Sequence, residues 1–221
     1  MPQVVLLASS CTGLPGTTRR LGVSLSQLGL VRQTFRSAGW AVRLATPAGG
    51  PVPVDAGTLS EEWFEATRYC LRAESIADVE PATPDAWLVL GGHAGLCDLV
   101  GLAELERRLE TAAQLGRTVA ALDHGGAALA AVAGRLRRDR RRPYRLTGRT
   151  DEEEHASRHL HLLPRSSEQV IRSADVSFVA GPAWQPYVVT DGPFVSGQNP
   201  ASASAVVDAV IARDADRALA A

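Results

Sequence analysis

The amino-acid sequence predicts an α/β sandwich built on a mainly parallel sheet, and three features carry that expectation. Short apolar runs, "VVLLAS" (4–9), "WAVRLAT" (40–46), "DAWLVLGG" (85–92), "TVAALDH" (118–124) and "VSFVAGP" (176–182), are separated by longer stretches. That order builds parallel strands joined by crossover helices. The runs are nearly all apolar rather than alternating, so both faces of the sheet are expected to be covered. Glycine and small residues crowd the segments after the first, third and fourth runs, "SSCTGLPG", "GGHAGLCD" and "DHGGA". In open α/β sheets, ligands bind outside the carboxyl ends of the strands.

Each apolar run is read as a core strand. Helical periodicity is expected over residues 21–38, 98–115, 125–133 and 202–219. With 221 residues, 45% of them hydrophobic, the chain can close a full core, and residues 1–221 are expected to form one domain. A formal charge of −1 supplies no field to gather phosphate backbones or acidic lipid surfaces, so neither nucleic acid nor a membrane is an expected partner. No apolar run reaches the length of a spanning helix, and no basic region precedes the first one. A cytoplasmic location is expected. The three cysteines, Cys11, Cys70 and Cys97, are widely spaced and contain no CxxC pair, so reduced thiols are the default. The arginine-rich, lysine-poor composition suggests GC-rich coding.

Two clusters read as solvated surface. "RLRRDRRRPYR" (135–145) is followed by "DEEE" (151–154), and their charges are expected to compensate in an exposed loop. His155, His159 and His161 form an H-x₃-H-x-H pattern that imitates a metal set. The first pair can share a helical face, but His161 falls on another, so these histidines are expected at the surface and no metal site is assigned.

Five ordered stretches, "VLGGHAGLCDL", "AALDHGGAAL", "LTGRTDEEE", "GPAWQPYVVTDG" and "VSGQNPASASAV", resemble the ThiJ/PfpI superfamily of the class I glutamine amidotransferase-like fold. Within it they look most like the chaperone and glyoxalase III branch. The resemblance runs from about residue 3 to 212 and implies a flavodoxin-like three-layer sandwich and a homodimer. The family carries a nucleophilic cysteine on a strand-to-helix elbow, in a pattern like A-V-C-H-G-P. Asp123 stands at the cysteine position here and His124 at the histidine. An acid on the first long helix, in a pattern like T-G-x-x-x-x-E, normally lies beside that sulfur, and "LGVSLSQ" places Gln27 there. The acid that orients the histidine falls on Glu154, with Glu153 as second choice. Arg149 occupies the usual phenylalanine position of a T-G-F motif. Gly91, Gly92 and His93 match a G-G-H-G signature, and Trp184 matches an aromatic near the rim of the site.

The two replacements fit each other physically. Two carboxylates in contact repel and force one pKa upward, whereas a glutamine amide at position 27 can donate a hydrogen bond to Asp123. Asp123 has three readings: a helix N-cap, a general base, or a nucleophile forming an ester, with the base favoured over the weak nucleophile. His124 is either a buried histidine satisfied by Glu154 or an acid/base partner. Gly91, Gly92 and the His124 amide are candidate oxyanion donors, and His93 a loop-shaping residue. Cys11 is a candidate substitute nucleophile or inert filler; Cys97 is expected to enlarge the pocket. Arg149 is expected to put a positive charge at the pocket mouth, and Trp184 is either structural or a ligand wall.

The leading expectation is an enzyme that needs no cofactor and performs acid–base chemistry on a carbonyl-containing small molecule: hydration, dehydration, hydrolysis or isomerisation. GC-rich coding and a remodelled site are compatible with a substrate from specialised metabolism. The alternatives are a non-catalytic chaperone-like or ligand-binding relative, and glyoxalase III or deglycase activity on 2-oxoaldehydes.

Overall fold

The computed structural model describes residues 1–14, 20–137, 141–158, 161 and 163–219. Its strands are β1 (Gln3–Leu7), β2 (Ala41–Thr46), β3 (Glu74–Ser75), β4 (Ala86–Val89), β5 (Thr118–Leu122), β6 (Arg145–Leu146), β7 (Ser177–Phe178), β8 (Val188–Asp191) and β9 (Phe194–Gly197). Its α-helices are α1 (Leu25–Ser37), α2 (Phe64–Tyr69), α3 (Gly95–Asp98), α4 (Ala103–Gln114), α5 (Gly126–Leu136), α6 (Asp151–Ala156), α7 (Ser167–Arg172) and α8 (Ala203–Leu219). A seven-stranded sheet runs β3-β2-β1-β4-β5-β9-β8, parallel except for the antiparallel β8–β9 pair.

Burial explains the near-continuous apolar runs. Along β1, Val4 and Leu6 pack with Leu28, Val31 and Phe35 of α1 and Val206 and Val210 of α8. Val5 and Leu7 point the other way, toward Leu105 and Leu109 of α4 and Leu129 and Val132 of α5. Successive residues thus fill opposite cores, which makes a flavodoxin-like three-layer sandwich. Each fully buried aliphatic side chain contributes roughly 1.5–3 kcal/mol from surface removed from water.

The chain order reverses direction at β1. From there it steps through β2 to β3, then returns to β4 on the other side of β1 and continues to β5. The carboxyl ends of β1, β4 and β5 therefore adjoin a topological switch point, where a crevice opens. The described parts of the three glycine-rich segments adjoin at this edge, where Ser9 and Ser10 bond Asp98 and the Gly92 amide lies 3.3 Å from His124 Nδ1.

Four local expectations are corrected. The run 176–182 supplies only β7, which pairs with β6 in a separate two-stranded sheet. The place beside β5 goes to β9, whose Phe194 and Val195 are fully buried. The helix expected over 98–115 is split into α3 and α4, because Gly101 takes a φ of +77°, a turn conformation that ends the helical run. The helix expected over 21–38 begins only at Leu25, where the Ser24 side chain accepts from the Gln27 amide, a normal N-cap. Finally, "DEEE" is no solvated loop. It forms the first turn of α6, capped by Thr150, with Glu153 and Glu154 wholly buried. In the basic run, Arg135 pairs with Glu106 and Glu110, and residues 138–140 lie outside the described residues. Among the described residues, no helix is long and apolar enough to cross a membrane.

Candidate active site

The site is built on the turn from β5 into α5. Asp123 has a φ of +60°, a left-handed conformation that costs a non-glycine residue about 1–2 kcal/mol. The turn tightens through a 3-10 segment, Asp123–Gly125, before α5 begins. Close approach of the neighbouring loop requires Gly91: a Cβ there would lie 2.5 Å from Asp123 Cβ and 2.7 Å from its Oδ2. Gly91→Ala is accordingly expected to destabilise the protein by about 1–3 kcal/mol through overpacking, measured by urea denaturation. An unchanged midpoint would mean that the loop can retreat from the elbow.

The Asp123 side chain does not cap α5, since neither the 3-10 turn nor α5 has a side-chain cap. Its carboxylate is buried instead among polar side chains. Gln27 Nε2 donates to Oδ2 at 3.2 Å, and His124 Nδ1 lies 3.0 Å from the same oxygen. The other oxygen, Oδ1, has no hydrogen-bond partner among the described residues and lies 3.5 Å from Arg149 Nη1. Burial works against the charge on Asp123, but His124, Arg149 and Gln27 outweigh it and hold the carboxyl below its ordinary range.

Glu154 closes the cluster from α6. Its Oε1 bonds His124 Nε2, and its Oε2 lies 3.1 Å from His93 Nε2. Burial opposes ionisation of both partners; even so, the flanking carboxylates raise His124 to about 9, and the two histidines lower Glu154. Burial lowers His93 despite its contact with Glu154. At neutral pH, then, an imidazolium at His124 sits between two carboxylates, and neutral His93 donates Nε2–H to Glu154. Asp123, Glu154, His124 and Arg149 together carry two negative and two positive charges.

The protonation state also frees a donor. The Gly92 amide lies 3.3 Å from His124 Nδ1, but a protonated ring nitrogen has no lone pair to receive it. That amide is left as a donor at the carboxyl end of β4.

Arg149 is more deeply placed than a residue at the pocket mouth, at only 6% exposed. Its backbone amide donates to Asp123 O, and its guanidinium stacks 4.2 Å over the Trp184 ring, a cation–π contact. Trp184 itself is 47% exposed and has a φ of +63°, so it forms a rim and not core. Glu153, the second choice for orienting His124, has another task. It accepts from the amides of Thr150 and Trp184 and from the side chains of Gln198 and Asn199. It pins α6 to the segment after β9, and Glu154 alone faces His124. The sequence reading gave Gln198 and Asn199 no role; placing β9 in the sheet is what would have brought them to this edge.

His93, His124 and Glu154 also present ligand atoms within 4.8 Å of one another, the spacing of a metal-binding set. Those atoms are hydrogen-bonded to each other, so a cation would have to displace the His124 proton to bind. His155 and His161 are exposed, and His159 lies outside the described residues. Cys11 and Cys97 pack together against Leu14, Leu21 and Ala94, and no described contact joins Cys11 to Asp123 or His124.

No protein-family model matches the chain, and no curated protein sequence matches it. Solved structures do. Rapid Encystment Protein 24 kDa from Francisella tularensis superposes with a TM-score of 0.88 at 22% identity, over 97% of this chain and 99% of that one. Glyoxalase III from Candida albicans gives a TM-score of 0.76 at 22% identity, over 96% and 97% of the two chains. A ThiJ/PfpI domain protein from Brachyspira murdochii gives 0.63 at 15% identity, over 96% and 95%. The structural neighbours of this chain thus include members of the DJ-1/ThiJ/PfpI superfamily, a glyoxalase III among them, and the chain has their fold.

Proposed function

We propose that the protein is an enzyme in which Asp123 and His124 move protons on a neutral, carbonyl-containing small molecule, with no thiol nucleophile. The observation that carries this reading is the Asp123 carboxylate. It is held at a strained elbow, kept ionised against its burial by neighbouring cations and the Gln27 amide, and bonded through one oxygen while the other has no hydrogen-bond partner among the described residues. A side chain needed only to cap a helix has no use for this geometry.

In this mechanism Asp123 Oδ1 takes a proton from water or from a carbon next to the carbonyl. His124, which shares its Nδ1 proton with Asp123, is the acid that returns one. The Gly92 amide, with those of Gly91 and His124, faces the oxygen on which charge develops. These transfers need no group beyond the side chains and amides named. The cluster supports a neutral substrate because its four charges already cancel, and a further buried charge would be costly. Hydration, dehydration, hydrolysis and isomerisation all use this proton traffic.

The likeness to a glyoxalase III favours one competing reading, turnover of 2-oxoaldehydes. Lactate formation from methylglyoxal, followed by proton NMR for the natural protein and for Asp123→Cys, separates the two. Activity in Asp123→Cys alone is the expected result; it means that the surrounding machinery is intact and that aspartate serves a different reaction. Activity in the natural protein overturns the proposal in favour of glyoxalase chemistry, with Cys11 the first nucleophile to test. If both are silent, deuterium exchange in a panel of neutral ketones decides. Exchange abolished by Asp123→Ala supports the base, and exchange unaffected by it favours a non-catalytic binding protein.

A further inference from the structure

Outside the acid–base cluster, two thiols from distant parts of the sequence are held together at the same edge of the sheet. Cys11 follows β1 and Cys97 lies in α3, and both pack on the small apolar cluster of Leu14, Leu21 and Ala94. This shared packing is held in place, because Asp98 of α3 clamps the segment after β1. Ser9 Oγ donates to its Oδ1 at 2.6 Å and the Ser10 amide to its Oδ2 at 2.8 Å. The Cys11 amide then donates back to Ser9 Oγ at 2.9 Å. Cys11 Sγ donates to the Gly13 carbonyl at 3.0 Å, and both cysteines are part-exposed. Cys97 Sγ also approaches the His93 carbonyl at 3.8 Å, which ties the pair to the loop whose histidine contacts Glu154.

We propose that Cys11 and Cys97 are a disulfide-forming pair, oxidised by a hydroperoxide or by a small-molecule disulfide such as oxidised glutathione. With a hydroperoxide, the Cys11 sulfur attacks the terminal oxygen, the O–O bond breaks, and an alcohol leaves a sulfenic acid on Cys11. The Cys97 sulfur attacks that sulfenate, the S–S bond forms, and hydroxide leaves with the Cys97 proton as water. Two thiols are oxidised and one peroxide is reduced. Burial and the adjacent Cys11 sulfur push the Cys97 thiol up to about 12, so Cys11 is the sulfur that attacks first. The link removes the Cys97 S–H from the His93 carbonyl and tethers α3 to the loop after β1.

The test treats the whole protein with hydrogen peroxide or oxidised glutathione, followed by thiol titration in denaturant and non-reducing peptide mapping. The thiol count is expected to fall from three to one, with a peptide joining Cys11 to Cys97 that is about 2 Da lighter than the sum of its parts. Cys70→Ser, removing a core thiol, is expected still to lose two thiols. Cys97→Ser is expected to lose the cross-link and to leave Cys11 as a sulfenate or glutathione adduct. The His93 ring resonances should shift on oxidation and return with dithiothreitol. Separate oxidation of the two sulfurs, linkage only between chains, or unmoved His93 resonances despite the link would each overturn the proposal. None of these readouts depends on the proposed acid–base activity.

Discussion

Glu154→Gln is expected to lower the stability of the folded protein by about 3–5 kcal/mol, the usual cost of removing one partner from a buried ion pair. The Glu154 side chain is fully buried and receives both His124 and His93, so the substitution leaves an imidazolium in the interior with one carboxylate instead of two. The sign of the pH dependence follows from the shifts. His124 is raised to about 9, so its contribution is full below its ordinary value of about 6.5 and is lost as pH rises through about 9. Asp123 and Glu154 are lowered, so theirs are present above about 4.5 and are lost as pH falls through the depressed values. The cluster therefore stabilises most between about pH 4.5 and 6.5. Urea denaturation of the natural protein and Glu154→Gln at pH 6 and pH 10 is the measurement. The gap should be large at pH 6 and should narrow at pH 10, where His124 is neutral in both. A gap under about 1 kcal/mol at pH 6 would mean that the cluster behaves like a surface ion pair.

Asp123→Asn is expected to reduce turnover of a carbonyl substrate by about 10²–10⁴-fold, the usual contribution of a positioned general base, while leaving the fold intact. Asparagine tolerates the left-handed conformation at this elbow and has nearly the same shape, so the change isolates the charge. It also separates the base from the cap. Asparagine caps helices as well as aspartate does, so a side chain that only began α5 would tolerate the substitution without loss. The second readout is His124. Losing the neighbouring carboxylate should bring it down from about 9 toward the ordinary histidine range, visible in the pH titration of its imidazole resonances. Unchanged turnover with a lowered His124 would sink the base and keep the electrostatics.

Much of the sandwich was legible because its strands are filled from both faces. β1, β2, β4 and β5 read as apolar runs, and α8 as a periodic segment, since burial on two faces or one leaves its period in the sequence. β8 and β9 were not legible. Each has only four residues, and Ser196 and Gly197 in β9 carry no strand signal, although both are fully buried beside β5. The run around Phe178 looked more like a strand, yet it is only half-buried and pairs with β6. Likewise "DEEE" looked solvated because four adjacent acids usually are. Burial of Glu153 and Glu154 depends on partners contributed by residues 93, 124, 184, 198 and 199.

The sequence by itself determined the buried strands β1, β2, β4 and β5, the glycine-rich edge, and, through its ordered motifs, the placing of Gln27 beside Asp123 and of an acid from residues 153–154 beside His124. Apolar periodicity and ordered motifs are properties of neighbouring residues and survive in a linear reading. Only the tertiary structure decided that Asp123 faces the buried cluster and does not cap α5. It also decided that Glu154 and not Glu153 bonds His124, and that Arg149 lies inside the cluster and not at its mouth. Each of these depends on the strained turn at Asp123 and on α6 docking beneath it. That geometry arises from contacts between segments dozens of residues apart, and no local pattern encodes it.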